Sequence, residues 1–268
     1  MARKAPPSDG DLLLRAVFEH PEDDAPRLAY ADWLDESGGE PERAALIRVQ
    51  CELARLPPDD PRATELMRTQ EKLFRGRKLR WRASLPRLRG VVWGDFSRGF
   101  VDSLAVPTPN TFRRMSARIV AVIPLYALTV KPHPRFPAGM AGFGRTKELS
   151  QLSVLKLSWQ QMDDSRLAHL LESPFLGRLS VLDLSLNHIE DSGARRLGAC
   201  QTLPNLKVLN LSGNWLTDAG AQALAASDHA KRLHHLDLTK NGLRPEDVEA
   251  RRIALRNQYG ADWYPSPD

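Results

Sequence analysis

The sequence predicts an α/β fold: a repeat solenoid with short parallel strands inside and helices outside, preceded by a small all-α domain. Three observations predict it. A leucine pattern begins at Leu152, Leu179, Leu206 and Leu233, a constant step of 27 residues. Within each copy the apolar residues alternate as L-x-L, the period of a strand with one buried face. Ahead of the copies, residues 9–56 hold three apolar stripes separated by glycine and proline.

Those stripes define three short helices. Leu13, Val17 and Phe18 form the first. Leu28, Ala31, Trp33 and Leu34 form the second, ended by Gly38 and Gly39. Leu46, Ile47, Val49, Cys51 and Leu53 form the third, stopped by Pro57 and Pro58. Residues 62–82 read as a fourth, basic helix running to Pro86. The expected division is a helical domain over 1–90, with the basic helix as linker, and a repeat domain over 91–268.

In the repeats the pattern L-x-x-L-x-L-x-x-N-x-L fits Leu179, Leu182, Leu184, Asn187 and Ile189. It returns at Leu206, Leu209, Leu211, Asn214 and Leu216, and at Leu233, Leu236, Leu238, Asn241 and Leu243. Leu152, Leu155, Leu157, Gln160 and Met162 fit with Gln in the Asn place. Two degenerate copies precede them, one with Leu125, Leu128 and Val130, the other with Val101, Leu104 and Val106. Six units suffice to bury a continuous core by stacking. The Asn bonds backbone groups where the chain leaves the sheet, so Gln160 and His133 predict less regular early turns. Asp164, Asp191 and Asp218 fall where each would cap a following helix, with Gly193 and Gly220 opening the helices and Leu197 and Leu224 facing inward. Pro245 replaces the capping Asp in the last unit. The stretch 246–268 reads as a polar helix ending near Gly260 plus an aromatic tail, a C-terminal cap for the last core layer.

Residues 100–245 resemble the leucine-rich repeat family, in its longer-repeat, ribonuclease-inhibitor-like class with a strand and a full helix per turn. The segments "PEDDAPRLAYADWLDESG" and "RAALIRVQCELARL" are similar to a small bacterial repeat-companion domain usually found ahead of such repeats. That second resemblance implies architecture and no activity. The first implies recognition of a protein partner on a concave sheet.

Composition narrows the function classes. No run of eighteen apolar residues occurs, so no membrane span is expected. The start "MARKAPPSDGD" lacks the apolar stretch of a secretory signal. Cys51 and Cys200 are far apart and without metal-type spacing, which fits a reduced, cytoplasmic compartment in a bacterial or other cytosol. The net charge of +5 is uneven. Residues 9–60 hold fourteen acids and five bases, a net of −9, whereas residues 62–89 hold ten bases and two acids, a net of +8.

Enzyme chemistry finds no support. No G-x-S-x-G, Walker loop or paired CxxC occurs. Asp32, Asp35 and Glu36 share a helical face near His20 in sequence, but a solvated face or ion pairs to the basic helix account for them. Trp33 reads as core at helical spacing. His234 and His235 are strand neighbours that point apart and lack a third ligand. No catalytic residue, metal, cofactor or small-molecule substrate is expected.

Binding surfaces remain. On the sheet the outward positions are the second, third, fifth, seventh and eighth of the motif. The fifth column reads Thr129, Lys156, Asp183, Asn210 and Asp237; the eighth reads Pro132, Trp159, Leu186, Gly213 and Lys240; Tyr126 holds a second position. Trp159 and Leu186 amid charges suit a protein-binding hot spot, unless another part of the chain covers them. Partner-binding residues are therefore expected among Trp159, Leu186, Lys156, Asp183, Asn210, Asp237, Lys240 and Tyr126. The expected function is a non-enzymatic adaptor or regulator. The alternative is nucleic-acid binding by a helical stripe of Arg68, Lys72, Arg75, Lys78 and Arg82 with Phe74 and Trp81 interleaved, against neutralisation of that stripe by the acidic block.

Overall fold

The structure, a computed structural model, describes residues 8–57, 59–132 and 142–242. It opens with five helices: α1 (Asp9–Glu19), α2 (Ala25–Glu36), α3 (Pro41–Arg55), α4 (Arg62–Phe74) and α5 (Lys78–Ala83). There follow β1 (Val92–Trp93), β2 (Phe96–Ser97), β3 (Phe100–Val101), β4 (Ser103–Val106), α6 (Pro109–Val120) and β5 (Ala127–Val130). Strand and helix then alternate: β6 (Val154–Lys156), α7 (Asp164–Leu171), β7 (Val181–Asp183), α8 (Asp191–Ala199), β8 (Val208–Asn210), α9 (Asp218–Ala225) and β9 (His235–Asp237). Two compact units result. Among the described residues, one comprises 8–89, 93–103 and 117–126; the other comprises 90–92, 104–116 and 127–242.

The first unit packs Val17, Ala31, Leu34, Ala44, Ile47, Cys51 and Phe100 into one core, with Leu14, Phe18, Leu28, Tyr30 and Trp33 against it. Ser8 and Asp11 close a reciprocal capping box at the start of α1. Trp33 does pack as expected: its ring lies over Gly10, where a Cβ would come within 2.4 Å of it. A two-residue turn, Arg98 and Gly99, joins β2 to β3 in an antiparallel hairpin, both residues with positive φ (46° and 84°). Gln50 of α3 pins that hairpin, accepting from Gly99 N at 2.7 Å and donating to Phe96 O at 3.2 Å.

The expected single basic helix over 62–82 is two helices. Gly76, at φ 75°, breaks the chain between α4 and α5. Glycine adopts that left-handed turn without a Cβ penalty, and a helix cannot continue through it.

The second unit carries the sheet, whose strand order is β1-β4-β5-β6-β7-β8-β9. From β5 to β9 the strands are parallel and step one unit at a time: Leu128 pairs with Leu155, Leu155 with Leu182, Leu182 with Leu209 and Leu209 with Leu236. All five leucines are buried. Helices supply the other side of this core through Leu167, Leu197 and Leu224, also buried.

Asparagine holds the units together. Asn187, 1% exposed, donates through Nδ2 to Leu157 O and Leu184 O, both at 2.9 Å. Its Oδ1 accepts from Gln160 N at 2.8 Å and Met162 N at 3.0 Å. Asn214 and Asn241 repeat the pattern one unit on each, reaching Leu184 O and Leu211 O. Gln160 reaches Val130 O and Lys131 O of the preceding unit through its longer amide, and its turn is less regular than the later ones, as expected: Gln161 adds a second left-handed backbone, at φ 50°, where His188 and Trp215 have none. His133, Leu243, Pro245 and the C-terminal cap lie outside the described residues.

The aspartates do a different job from the one expected. The caps of α7, α8 and α9 are Asp163, Glu190 and Thr217, so the helices start at Asp164, Asp191 and Asp218, two residues before Gly193 and Gly220 in the last two cases. Asp164 reaches forward to the next unit, accepting from Glu190 N at 2.9 Å and from the Ser192 hydroxyl. Asp191 does the same to Thr217 N at 2.8 Å. A carboxylate is favoured there because a helix start presents unpaired N–H groups and a positive dipole end. Gly193 and Gly220 make the room: a Cβ on them would stand 2.3 Å from Asp164 Oδ1 and 2.2 Å from Asp191 Oδ1.

Candidate functional site

The parallel register turns each motif position into a row. Opposite the buried leucines, the third positions align as Ala127, Val154, Val181, Val208 and His235, all half-buried. Beside them run the fifth positions, Thr129, Lys156, Asp183, Asn210 and Asp237. Alternation along a strand puts both rows on one face.

The fifth row is partly committed to the fold. Asp183 Oδ1 accepts from Ser185 N, Asn210 Oδ1 from Ser212 N, and Asp237 Oδ1 from Thr239 N, each at 2.9 Å. These bonds over two residues shape the strand exits, as short polar side chains do in turns. Lys156 is exposed.

The eighth row sits at those exits. Trp159, Leu186 and Lys240 hold left-handed backbones, with φ of 57°, 56° and 57°, and Gly213 has 66°. An L residue in that conformation gives up about 1–2 kcal/mol relative to the right-handed well. The N–H groups of Trp159, Leu186 and Gly213 donate to Ser185 O, Ser212 O and Thr239 O of the following unit, which fixes the turn. Trp159 gains little burial there, at 59% exposed, whereas Leu186 is 38% exposed. Leu186 leans over the next unit, so that a Cβ on Gly213 would lie 2.5 Å from its Cδ2.

Trp215, 56% exposed, belongs to the same repeat logic and was missed by the sequence reading. It occupies the tenth motif position and stacks on His188, one unit earlier, with centroids 4.4 Å apart. The step of 27 from His188 was the available signal. Tyr126 falls in the first compact unit, under the Arg98 guanidinium at 5.6 Å from its ring.

The basic stripe is not one surface. Arg68, Lys72 and Arg75 are exposed and form no ion pair among the described residues, but Arg75 is the last cap of α4. Past Gly76, Lys78 pairs with Asp95 at 3.0 Å, and Arg82 lies 3.7 Å from the same carboxylate while donating to Trp93 O. Trp81 is buried at 6% exposure and packs on Phe74 and Phe96, so no base can stack on its face. The acidic block instead meets the neighbouring bases: Glu42 takes Arg77 at 2.7 Å and Glu40 takes Arg80 at 3.4 Å.

Asp32 and Asp35 share Arg48, each at 2.7 Å. The ion-pair partner is thus on α3 and not on the basic helix. Cys51 and Cys200 are free and buried, and burial raises the Cys51 thiol to about 12. Among the described residues no three His, Cys, Asp or Glu side chains converge as a metal site, and no helix is long and apolar enough to cross a membrane.

Residues 179–198 and 202–225 match the family model described as leucine rich repeat. The chain carries leucine-rich repeats. The matched leucine-rich repeats are the units whose Asn187 and Asn214 make the ladder described above. Comparison with curated proteins returns no match.

Proposed function

We propose that this protein is a non-enzymatic adaptor or regulator of the cytoplasm that recognises a protein partner on the exposed face of its repeat sheet. In this reading the repeats form a solenoid of the ribonuclease-inhibitor-like class, and the N-terminal helices are a repeat-companion domain. Repeats of this kind generally mediate protein–protein interaction. The observation that carries the reading is Trp159, 59% exposed on a left-handed backbone, in one row with Leu186. Glycine suits that position better, and neither large apolar group is needed to close the core. Such groups, rimmed by Lys156, Asp183 and Lys240, fit a hot spot whose residues are already ordered before docking.

The test is capture from native cytosol on the immobilised full chain, with the double variant Trp159→Ala, Leu186→Ala beside it. The expected result is loss of the captured protein with an unchanged circular dichroism spectrum. Equal capture by the folded double variant overturns the surface. A second reading, nucleic-acid binding, rests on Arg68, Lys72 and Arg75, exposed and without ion pairs among the described residues. A mobility shift that weakens with salt supports it, and no shift at low salt removes it.

A further inference from the structure

The first compact unit contains a charge that its own residues leave unanswered. Arg43 rises from α3 among aromatic rings: its guanidinium carbon lies 5.1 Å from the Trp81 centroid, 4.9 Å from Phe96 and 5.3 Å from Phe100. Rings favour a cation over their faces but give its in-plane N–H groups no acceptor. Among the described residues no hydrogen bond or ion pair reaches this guanidinium, and Glu40, one helical turn before it, takes Arg80 instead. Burial lowers the Arg43 proton affinity to about 10, with Glu40 opposing, so the group is still charged at neutral pH.

A cavity of about 530 Å³ opens beside it, walled by Leu14, Phe18, Leu85 and Val122 together with Arg43 and Trp81. Trp81, 6% exposed, contributes its ring to the wall, its indole N–H being closed off from the cavity. The Arg43 guanidinium, a five-donor fork with no acceptor among the described residues, thus lines a cavity whose wall also holds Glu40, Arg80, Tyr30 and Ser84.

We infer that this cavity binds a small organic carboxylate, its anionic end on Arg43 and its apolar body against Leu14, Phe18, Trp81, Leu85 and Val122. A carboxylate only accepts, in the planar pair geometry that a guanidinium matches. Arg43, Arg80 and Glu40 carry one net positive charge, which a monoanion balances and a phosphate dianion exceeds. The volume lies within the range of small-molecule sites, which bury an apolar body and fix it by a few polar groups. This site is independent of the sheet face and of the partner proposed there.

The test uses the full chain and fluorine NMR of three probes: para-fluorophenylacetate, its neutral amide, and para-fluorophenyl phosphate. The carboxylate binds saturably, the amide at least about tenfold more weakly, since it offers donors where acceptors are needed. Arg43→Met abolishes the carboxylate preference. Val122→Phe narrows the chamber while leaving Arg43 in place, and weakens the carboxylate even where Arg43→Met fails to fold. Absence of saturable binding to the folded wild type overturns the inference. So do equal binding of the amide, tighter binding of the phosphate, or undiminished binding by a folded variant of either kind.

Discussion

The two compact units solve the same problem, burying polar groups, in opposite ways. In the repeat unit a periodic set of buried amides serves the neighbour one step along: Asn187 holds Leu157 O, and Asn214 holds Leu184 O. The same bond is made repeatedly, and no charge is buried to make it. The helical unit instead uses single, unrepeated devices. Arg27 is fully buried, gives one hydrogen bond to Pro21 O at 2.7 Å and leaves Nε and Nη1 unpaired over Phe100. Asp102 is 5% exposed, and burial raises its carboxyl to about 6, against the pull of Ser97, Arg27 and Arg98.

The comparison breaks first at the ladder. Asn187→Ala should destabilise by about 3 kcal/mol or more, because Leu157 O, Leu184 O, Gln160 N and Met162 N lose their partner in a buried place. Urea unfolding measures it, and a loss below that of an exposed Asn would deny the ladder its role. Next comes Gly193→Ala. In an exposed helix that change stabilises by about 1 kcal/mol; here the Cβ meets Asp164 Oδ1, so it should cost about 1–3 kcal/mol instead. Combining it with Asp164→Ala should recover much of the loss, and strictly additive effects would mean the two residues do not share that space.

A smaller effect sharpens the contrast in the helical unit. The folded Asp102 holds a proton up to about pH 6, while an unfolded Asp releases it near pH 4. Between those values the folded state binds more protons, so this group's contribution is fullest at low pH and is lost as pH rises through 6. Urea midpoints of the wild type should therefore fall across this window relative to those of Asp102→Asn. Parallel profiles of the two proteins would remove Asp102 as the cause.

What the sequence made legible follows the same division. Leu182, Leu209 and Leu236 were readable as adjacent rungs because a fixed step repeats the error-free answer several times. The Asn role was readable for the same reason. The Asp role was misassigned by one residue, since a cap and its first helical neighbour differ only in backbone angles that Asp163, Glu190 and Thr217 adopt. Arg27, Arg43 and Asp102 were invisible as buried groups: their partners lie far along the chain at no period, and charged residues ordinarily read as surface. The Gly76 break hid behind basic residues that kept helical spacing on both sides of it. Within the surface, Trp159 and Leu186 stood out as large apolar groups in a turn position. Their left-handed backbone, which makes them costly there, is a property of the turn and not of either residue's own preference.

The central claim is that the exposed rows of the repeat sheet exist to be covered by a partner. Hydrogen–deuterium exchange of the full chain, free and in the captured complex, reads this directly. The account predicts slowed exchange at the strand exits, over residues 156–159, 183–186 and 210–213, with α4 and α5 unchanged. Protection confined to α4 and α5, or to the helices α7 to α9, would contradict it.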